Sequence, residues 1–375
     1  VVNLHLSQAV AAQNLYYVPD PSSQKACTIG GNVGENSGGP HTLLYGVTTN
    51  HTLALEVVTP DGEIRRFGGA GAPDAPGYDL CGLFVGSEGT IGLVTQITVR
   101  LTPIPPGVKT FLAVYDDIVK CSDAVSEIIK AGVIPAALEM MDNLAIQAVE
   151  ASVQAGYPVE AAAVLLVEVE GFPEALAQQS HAIEEICLSK GALSFRVAKD
   201  NAEREKLWKG RKGAFGAIGR MSPDYYVCDG VVPRSTLPQV LSRISEISEE
   251  FGLPIANVFH AGDGNLHPLI MFDANKKGDT EKAVAAGTEI MRTCAEFGGA
   301  LSGEHGIGAE KRDMMCFVFN EEDLGVMRRV RDAYDTLGLS NPGKVFPTPG
   351  RCSETRPPKQ GAAQKTYECD GMQAW

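Results

Sequence analysis

Two histidines and a glutamate are the residues best placed to do chemistry in this sequence. His260 and His267 lie in IANVFHAGDGNLHPLIMF, residues 255–272, and Glu304 lies in SGEHGIG, residues 302–308, with His305 beside it. Asp263-Gly264 between two apolar, β-prone runs is a strong short-range hairpin signal, so the first stretch reads as strand, tight turn, strand. With Asp263 and Gly264 as the central turn residues, Asn265 faces Gly262, Leu266 faces Ala261 and His267 faces His260. The two imidazoles then share one face with Cβ atoms roughly 5 Å apart, which suits two ligands of one metal ion. Zinc sites combine imidazole with carboxylate, and Glu304 offers one between Gly303 and Gly306, where the backbone can come close. Spacing alone also allows ordinary hydrogen-bonded core histidines.

A second chemical candidate is CTIGGNVGENSGG, residues 27–39, whose glycines 30, 31, 34, 38 and 39 would let backbone N–H groups approach an anion. It contains neither GxGxxG nor GxxxxGK[ST], so a nicotinamide fingerprint or a P-loop is unsupported. A phosphate-cradling loop and a plain glycine-rich connection both remain open.

These residues must be held by a substantial fold. A chain of 375 residues with 44% hydrophobic content is long enough for two cored domains. Its net charge of −14 and lack of a long Lys/Arg cluster argue against nucleic acid as a partner. Nine cysteines without a CxxC pair suggest reduced thiols and a reducing, cytoplasmic setting. No apolar run is long enough to span a bilayer, which leaves peripheral membrane attachment open. Val1 begins inside an amphipathic pattern, so no native targeting segment is visible.

Residues 4–15 have helical spacing, and residues 53–67 read as a hairpin around Pro60-Asp61-Gly62. Residues 83–101 read as strand broken by a turn at Gly86–Gly92, and LTPIPPG, 101–107, as a linker. Beyond it, 108–116, 161–171 and 194–199 read as strands, while 118–132, 173–191 and 237–252 read as helices. A helix-rich stretch covers 279–338, interrupted by SGEHGIG. This pattern predicts an α+β fold, helices on one face of an antiparallel sheet. Residues 351–375 show no periodicity and read as a disordered tail.

Taken in order, PDPSSQ, CTIGGNVGENSGG, LFVGSEGTIG, PAALEMMDN, LWKGRKGAF, SPDYYVCDG, NVFHAGDGNLHPLI, SGEHGIGAEK and NPGK make the chain resemble the vanillyl-alcohol-oxidase class of flavoproteins from residue 1 to about 352. Within that class it resembles the D-2-hydroxy-acid dehydrogenases. The resemblance implies a partial, two-subdomain FAD-binding domain over 1–107 (its second half), followed by a substrate cap over 108–350. It implies FAD contacts at Gly30, Gly31, Asn32, Gly38, Gly39, Glu88, Gly89, Ile91 and Asn341, and a divalent metal, zinc, on His260, His267 and Glu304. His305 matches the catalytic base, while Arg211 and Asn265 fall on the substrate side. The implied reaction is oxidation of a small 2-hydroxy acid, glycolate or D-lactate, with electrons passed to a quinone or companion subunits. Because the leading half of the family's FAD domain is not in this sequence, the isolated chain is expected to hold FAD weakly or not at all. The alternative is a non-catalytic, metal-binding interaction protein.

Overall fold

The computed structural model describes residues 1–69 and 77–347, so the expectation of a disordered tail over 351–375 lies outside the described residues. The first part opens with helix α1 (Asn3–Val10). The glycine-rich segment is not the loop that its composition suggests: Ile29–Glu35 forms a helix, α2. Thr28 caps it by accepting the Gly31 N–H at 3.1 Å, and Asn36 closes it in the left-handed conformation at φ 54°. Two good caps outweigh the entropic cost of three glycines. The predicted hairpin is present as β1 (Thr52–Val58) and β2 (Ile64–Gly68), and β3 (Leu93–Val99) pairs with the other edge of β1. Leu80–Phe84, whose end was read as strand, is a short helix capped by Asp79. Val33, Leu55, Val57, Phe84 and Ile91 form the small core of this part.

After the proline-rich link the chain builds one large antiparallel sheet. Its elements are β4 (Val108–Tyr115), α3 (Ile118–Lys130), β5 (Ala137–Asp142), α4 (Asn143–Ser152), β6 (Ala163–Glu170), α5 (Pro173–Ser189) and β7 (Ser194–Val197). There follow α6 (Asn201–Lys212), β8 (Asp224–Val227), α7 (Leu237–Phe251), β9 (Ile255–His260), β10 (Asn265–Phe272) and α8 (Asp279–Glu296). The strand order is β8-β10-β9-β5-β6-β4-β7, with the short strand Gly230–Val231 also beside β10.

The α+β class is as read, with one difference: helices cover both faces. Phe111, Leu138, Leu165, Val167, Phe259 and Ile270 pack under α3, α5, α7 and α8. Leu112, Val114, Met141, Val164, Leu166, Val258 and Leu269 pack under α4, α6 and the short helix Ala214–Ile218. Sandwiching on both sides explains why β6 and β9 are buried along nearly their whole length, the signature of a strand apolar on two faces. The second face is only partly apolar. Thr110, Glu139, Glu168, Glu170, His260, Asn265 and His267 point from it by strand alternation, and onto that polar end the first part of the chain docks. Cys27, Cys81, Cys121, Cys187, Cys228 and Cys294 are free thiols, whereas Cys316 is disulfide-bonded, against the expectation of thiols throughout. Among the described residues no helix is long and apolar enough to cross a membrane.

Candidate active site at the seam

The hairpin forms in a register other than the one predicted. His260 faces Asn265, Phe259 faces Leu266, and His267 faces Val258, leaving Ala261–Gly264 as a four-residue loop. The loop backbone bonds outward: Gly262 N–H donates to Leu138 O, Gly264 O accepts from Val232, and Gly262 O accepts from Arg234 Nη1. Those partners draw Ala261 and Gly262 out of the ladder. Because the shift is even, His260 and His267 keep a common face, with ring centroids 5.2 Å apart.

The loop carrying SGEHGIG brings Glu304 onto this face. Its Oε1 lies 3.4 Å from His260 Nε2, 3.3 Å from His267 Nε2 and 3.8 Å from His305 Nε2. His267 is fully buried, yet neither ring nitrogen has a hydrogen-bond partner, and the same holds for Glu304 Oε2. Orphaned buried donors and acceptors of this kind are costly unless something else fills them. Two imidazoles and a carboxylate converging on one point fit a zinc-type cation with room for further ligands. Asp229, His267 and His305 also lie close together, but Asp229 is already occupied by N–H donors and Lys311.

Behind the cluster, β5 supplies Glu139, directly opposite His260 in the sheet. Both carboxylate oxygens of Glu139 lie within 2.9 Å of His260 Nδ1, and Arg211 Nη2 lies 2.6 Å from Oε2. This is the carboxylate–histidine arrangement that orients a metal ligand. Burial opposes charge on His260, but Glu139 and Glu304 outweigh it and push its pKa up to about 10. His305 differs. Burial holds it below the usual histidine range, against the pull of Asp229.

Other residues singled out in the sequence fall in several places. Gly38 lies against the cluster, since a Cβ there would sit 3.4 Å from Glu304 Oε2 and 2.8 Å from Thr42 Oγ1. Gly39 packs on Asp20. Gly30 is exposed on α2, and Gly31 spends its N–H on Thr28. Asn32 turns inward to Asn3 and Cys27, and Ile91 is a core residue, so neither side chain faces the seam. Glu88 accepts the N–H groups of Ile307 and Gly308, while Asn341 donates to Glu88 O and closes over the turn that includes Gly89. Asn265 is buried against Gly303 with Oδ1 unpartnered. Arg211 is buried on Glu139 with Nε and Nη1 unpartnered. The sequence reading assigned nothing to Glu139, Asp229 or Lys311. Each lies in a motif quoted above, and an ionisable residue inside an apolar strand such as ALEMMD was the available signal.

Comparison with known proteins agrees with this layout. Residues 104–345 match the model of the C-terminal domain of FAD linked oxidases, and residues 1–68 match an FAD binding domain. The chain therefore belongs to the FAD-linked oxidase family. The glycolate oxidase subunit GlcD of Escherichia coli K12 is 51% identical over 354 residues, covering 94% of this chain and 71% of that protein. GlcD of Bacillus subtilis is 40% identical, with 92% and 74% covered, and the D-lactate dehydrogenase of Anaerostipes hadrus is 32% identical, with 91% and 73% covered. Among solved structures, p-cresol methylhydroxylase with substrate bound superposes with a TM-score of 0.72 at 15% identity, covering 92% of this chain and 74% of that one. The 4-ethylphenol oxidase of Gulosibacter chungangensis also gives 0.72, at 18% identity with 94% and 76% covered. At such identities the likeness is one of fold.

Proposed function

We propose that this chain carries the substrate side of an FAD-dependent enzyme that oxidises a D-2-hydroxy acid, glycolate or D-lactate, to the 2-oxo acid. Residues 1–107 contribute to the flavin domain and 108–350 form the substrate cap. The observation that carries the reading is the convergence of His260, His267 and Glu304, with His305 beside them and Gly38 of the glycine-rich segment against Glu304.

The residues present suit both groups that the reaction needs. At Gly34 a Cβ would meet nothing within 4 Å, and at Gly30 and Gly89 only an atom 4.0 Å away, so bare backbone is open to a flat ring there. FAD supplies the acceptor for the hydride leaving the α-carbon. On His260, His267 and Glu304, a divalent cation, zinc by donor type, supplies Lewis acidity toward the substrate hydroxyl. The chain's own residues do the rest. Glu139 fixes the His260 ring through Nδ1, leaving Nε2 as the ligand atom. His305, held below the usual histidine range, is neutral at pH 7 and ready to take the hydroxyl proton. Arg211 Nε and Nη1 are the donors left for the substrate carboxylate, and Asn265 Oδ1, against Gly303, is an unpartnered acceptor.

The test is a flavin absorbance spectrum of the full chain supplied with FAD, followed by anaerobic glycolate or D-lactate. Where the chain takes up FAD, bleaching by either acid is the expected result. Bound flavin that neither acid bleaches would overturn the substrate class.

A further inference from the structure

We propose that Asp229 is the positioning residue that sets Glu304 and His305 in place, an inference that rests on the metal-and-base reading above. Asp229 follows β8 in SPDYYVCDG and is completely buried. Its Oδ1 accepts the N–H of Gly303 at 3.0 Å and that of Glu304 at 3.2 Å. Its Oδ2 accepts the His305 N–H at 2.9 Å, the Ser302 hydroxyl at 2.7 Å and the Lys311 ammonium at 3.0 Å. Ser302 Oγ in turn accepts the Gly306 N–H at 2.8 Å. The backbone from 302 to 306 is thus wrapped around one carboxylate.

The loop needs such a centre. With glycines at 303, 306 and 308 it has little conformational preference of its own, and ordering it costs entropy that local propensity does not repay. Charge-assisted bonds to consecutive N–H groups supply the missing definition. Lys311 is buried with Asp229, so the carboxylate is not an unpaired charge in the interior. The geometric product is the placement of Glu304 Oε1 between His260 and His267, with the His305 ring 5.0 Å from that of His267. A mere fold staple would fix stability alone. A positioning residue also fixes ligand geometry, and outer-shell partners of this kind commonly govern metal affinity.

The experiment is carried out on the full chain with Asp229→Asn, which keeps size but presents an amide to the loop's N–H donors. Because Lys311 then loses its counter-charge, Asp229→Asn/Lys311→Met is made alongside. Zinc affinity is read by competition with a chromophoric chelator, amide hydrogen exchange is read at 303–305, and the thermal midpoint is recorded. We expect zinc binding roughly 10- to 100-fold weaker in both variants, with exchange protection lost at Gly303, Glu304 and His305. Asp142→Asn serves as control, since Asp142 is another carboxylate that accepts backbone N–H groups, at the start of α4 and from Asn257, outside the cluster. Its zinc affinity should match wild type. Wild-type zinc affinity in the Asp229 variants, retained protection of the three amides, or an equal loss in Asp142→Asn overturns the proposal. If the wild-type chain takes up no zinc, the metal reading fails by itself. The exchange data then decide on Asp229: loss confined to the loop supports the role and retained protection overturns it.

Discussion

At the scale of single residues, three imidazoles converge on one carboxylate and their surroundings divide the work. Glu139 and Glu304 raise the pKa of His260, whereas burial lowers that of His305, and on the proposed reading the first is the cation ligand and the second the base. His305→Ala should therefore lower kcat by about 10²- to 10⁴-fold, the usual contribution of a positioned base, while zinc content stays at the wild-type level; parallel loss of zinc would show that His305 is a ligand instead. The pH profile has a definite sign. A base works when unprotonated, and His305 titrates below the ordinary 6.5, so kcat/KM should climb through a midpoint below that value and be flat at neutrality. A midpoint above 6.5 would contradict this assignment. Glu139→Gln removes the counter-ion of Arg211, which is buried beside it, and the anchor of His260. Breaking a buried pair from one side costs about 3–5 kcal/mol, and losing the outer-shell partner should weaken zinc binding roughly 10- to 100-fold. Thermal denaturation and chelator competition measure the two effects separately.

At the scale of elements, the hairpin shows what a sequence can and cannot convey. Side-chain parity was legible: any even register leaves His260 and His267 on one face, so the pairing of the two rings survives the corrected register. The turn was not legible, because Gly262 and Gly264 take their partners from Leu138, Val232 and Arg234, residues distant in sequence. The same limit hid β5. ALEMMD does not alternate, since it is buried on both faces, and its inner acid, Glu139, gains meaning only opposite His260. For α2 the signals were present in Thr28 and Asn36, but glycine density outweighed them in the reading. The hairpin loop also yields a stability prediction. Gly264 has φ 79°, and a Cβ there would sit 2.1 Å from Val232 O, a backbone atom that cannot swing aside. Gly264→Ala should destabilise the chain by about 2–4 kcal/mol, left-handed strain plus overpacking, seen as a lower urea midpoint. An unchanged midpoint would mean that the loop is free to rearrange.

At the scale of the whole molecule, the polar end of the large sheet is where the first part of the chain attaches, and a half-buried charge network joins the two. Asp20 lies 3.0 Å from His41 Nδ1 and 2.8 Å from Lys212 Nζ, the residue after Arg211. His41 Nε2 lies 3.5 Å from Glu168 Oε1 and its ring stacks on Trp208, while Tyr45 donates to Glu170. Glu168 also accepts from Arg204 and Trp208. One helix, α6, thus carries both the Arg211 that pairs with Glu139 behind the histidine cluster and the Trp208, Arg204 and Lys212 that face the seam. Burial opposes charge on His41, but Asp20 first and Glu168 next push its pKa up to about 10. A folded pKa above the ordinary 6.5 means that the stabilisation is complete below 6.5 and is lost as pH rises toward 10. His260 would titrate across the same window without zinc, so the comparison belongs in the zinc-loaded chain, where a proton cannot occupy the ligand nitrogen. Under those conditions wild type should lose thermal stability between pH 7 and 10 more steeply than His41→Asn, in which Lys212 still pairs Asp20 and Arg204 still pairs Glu168. Parallel profiles for the two proteins would place the alkaline sensitivity elsewhere and leave the seam held by those lysine and arginine pairs alone.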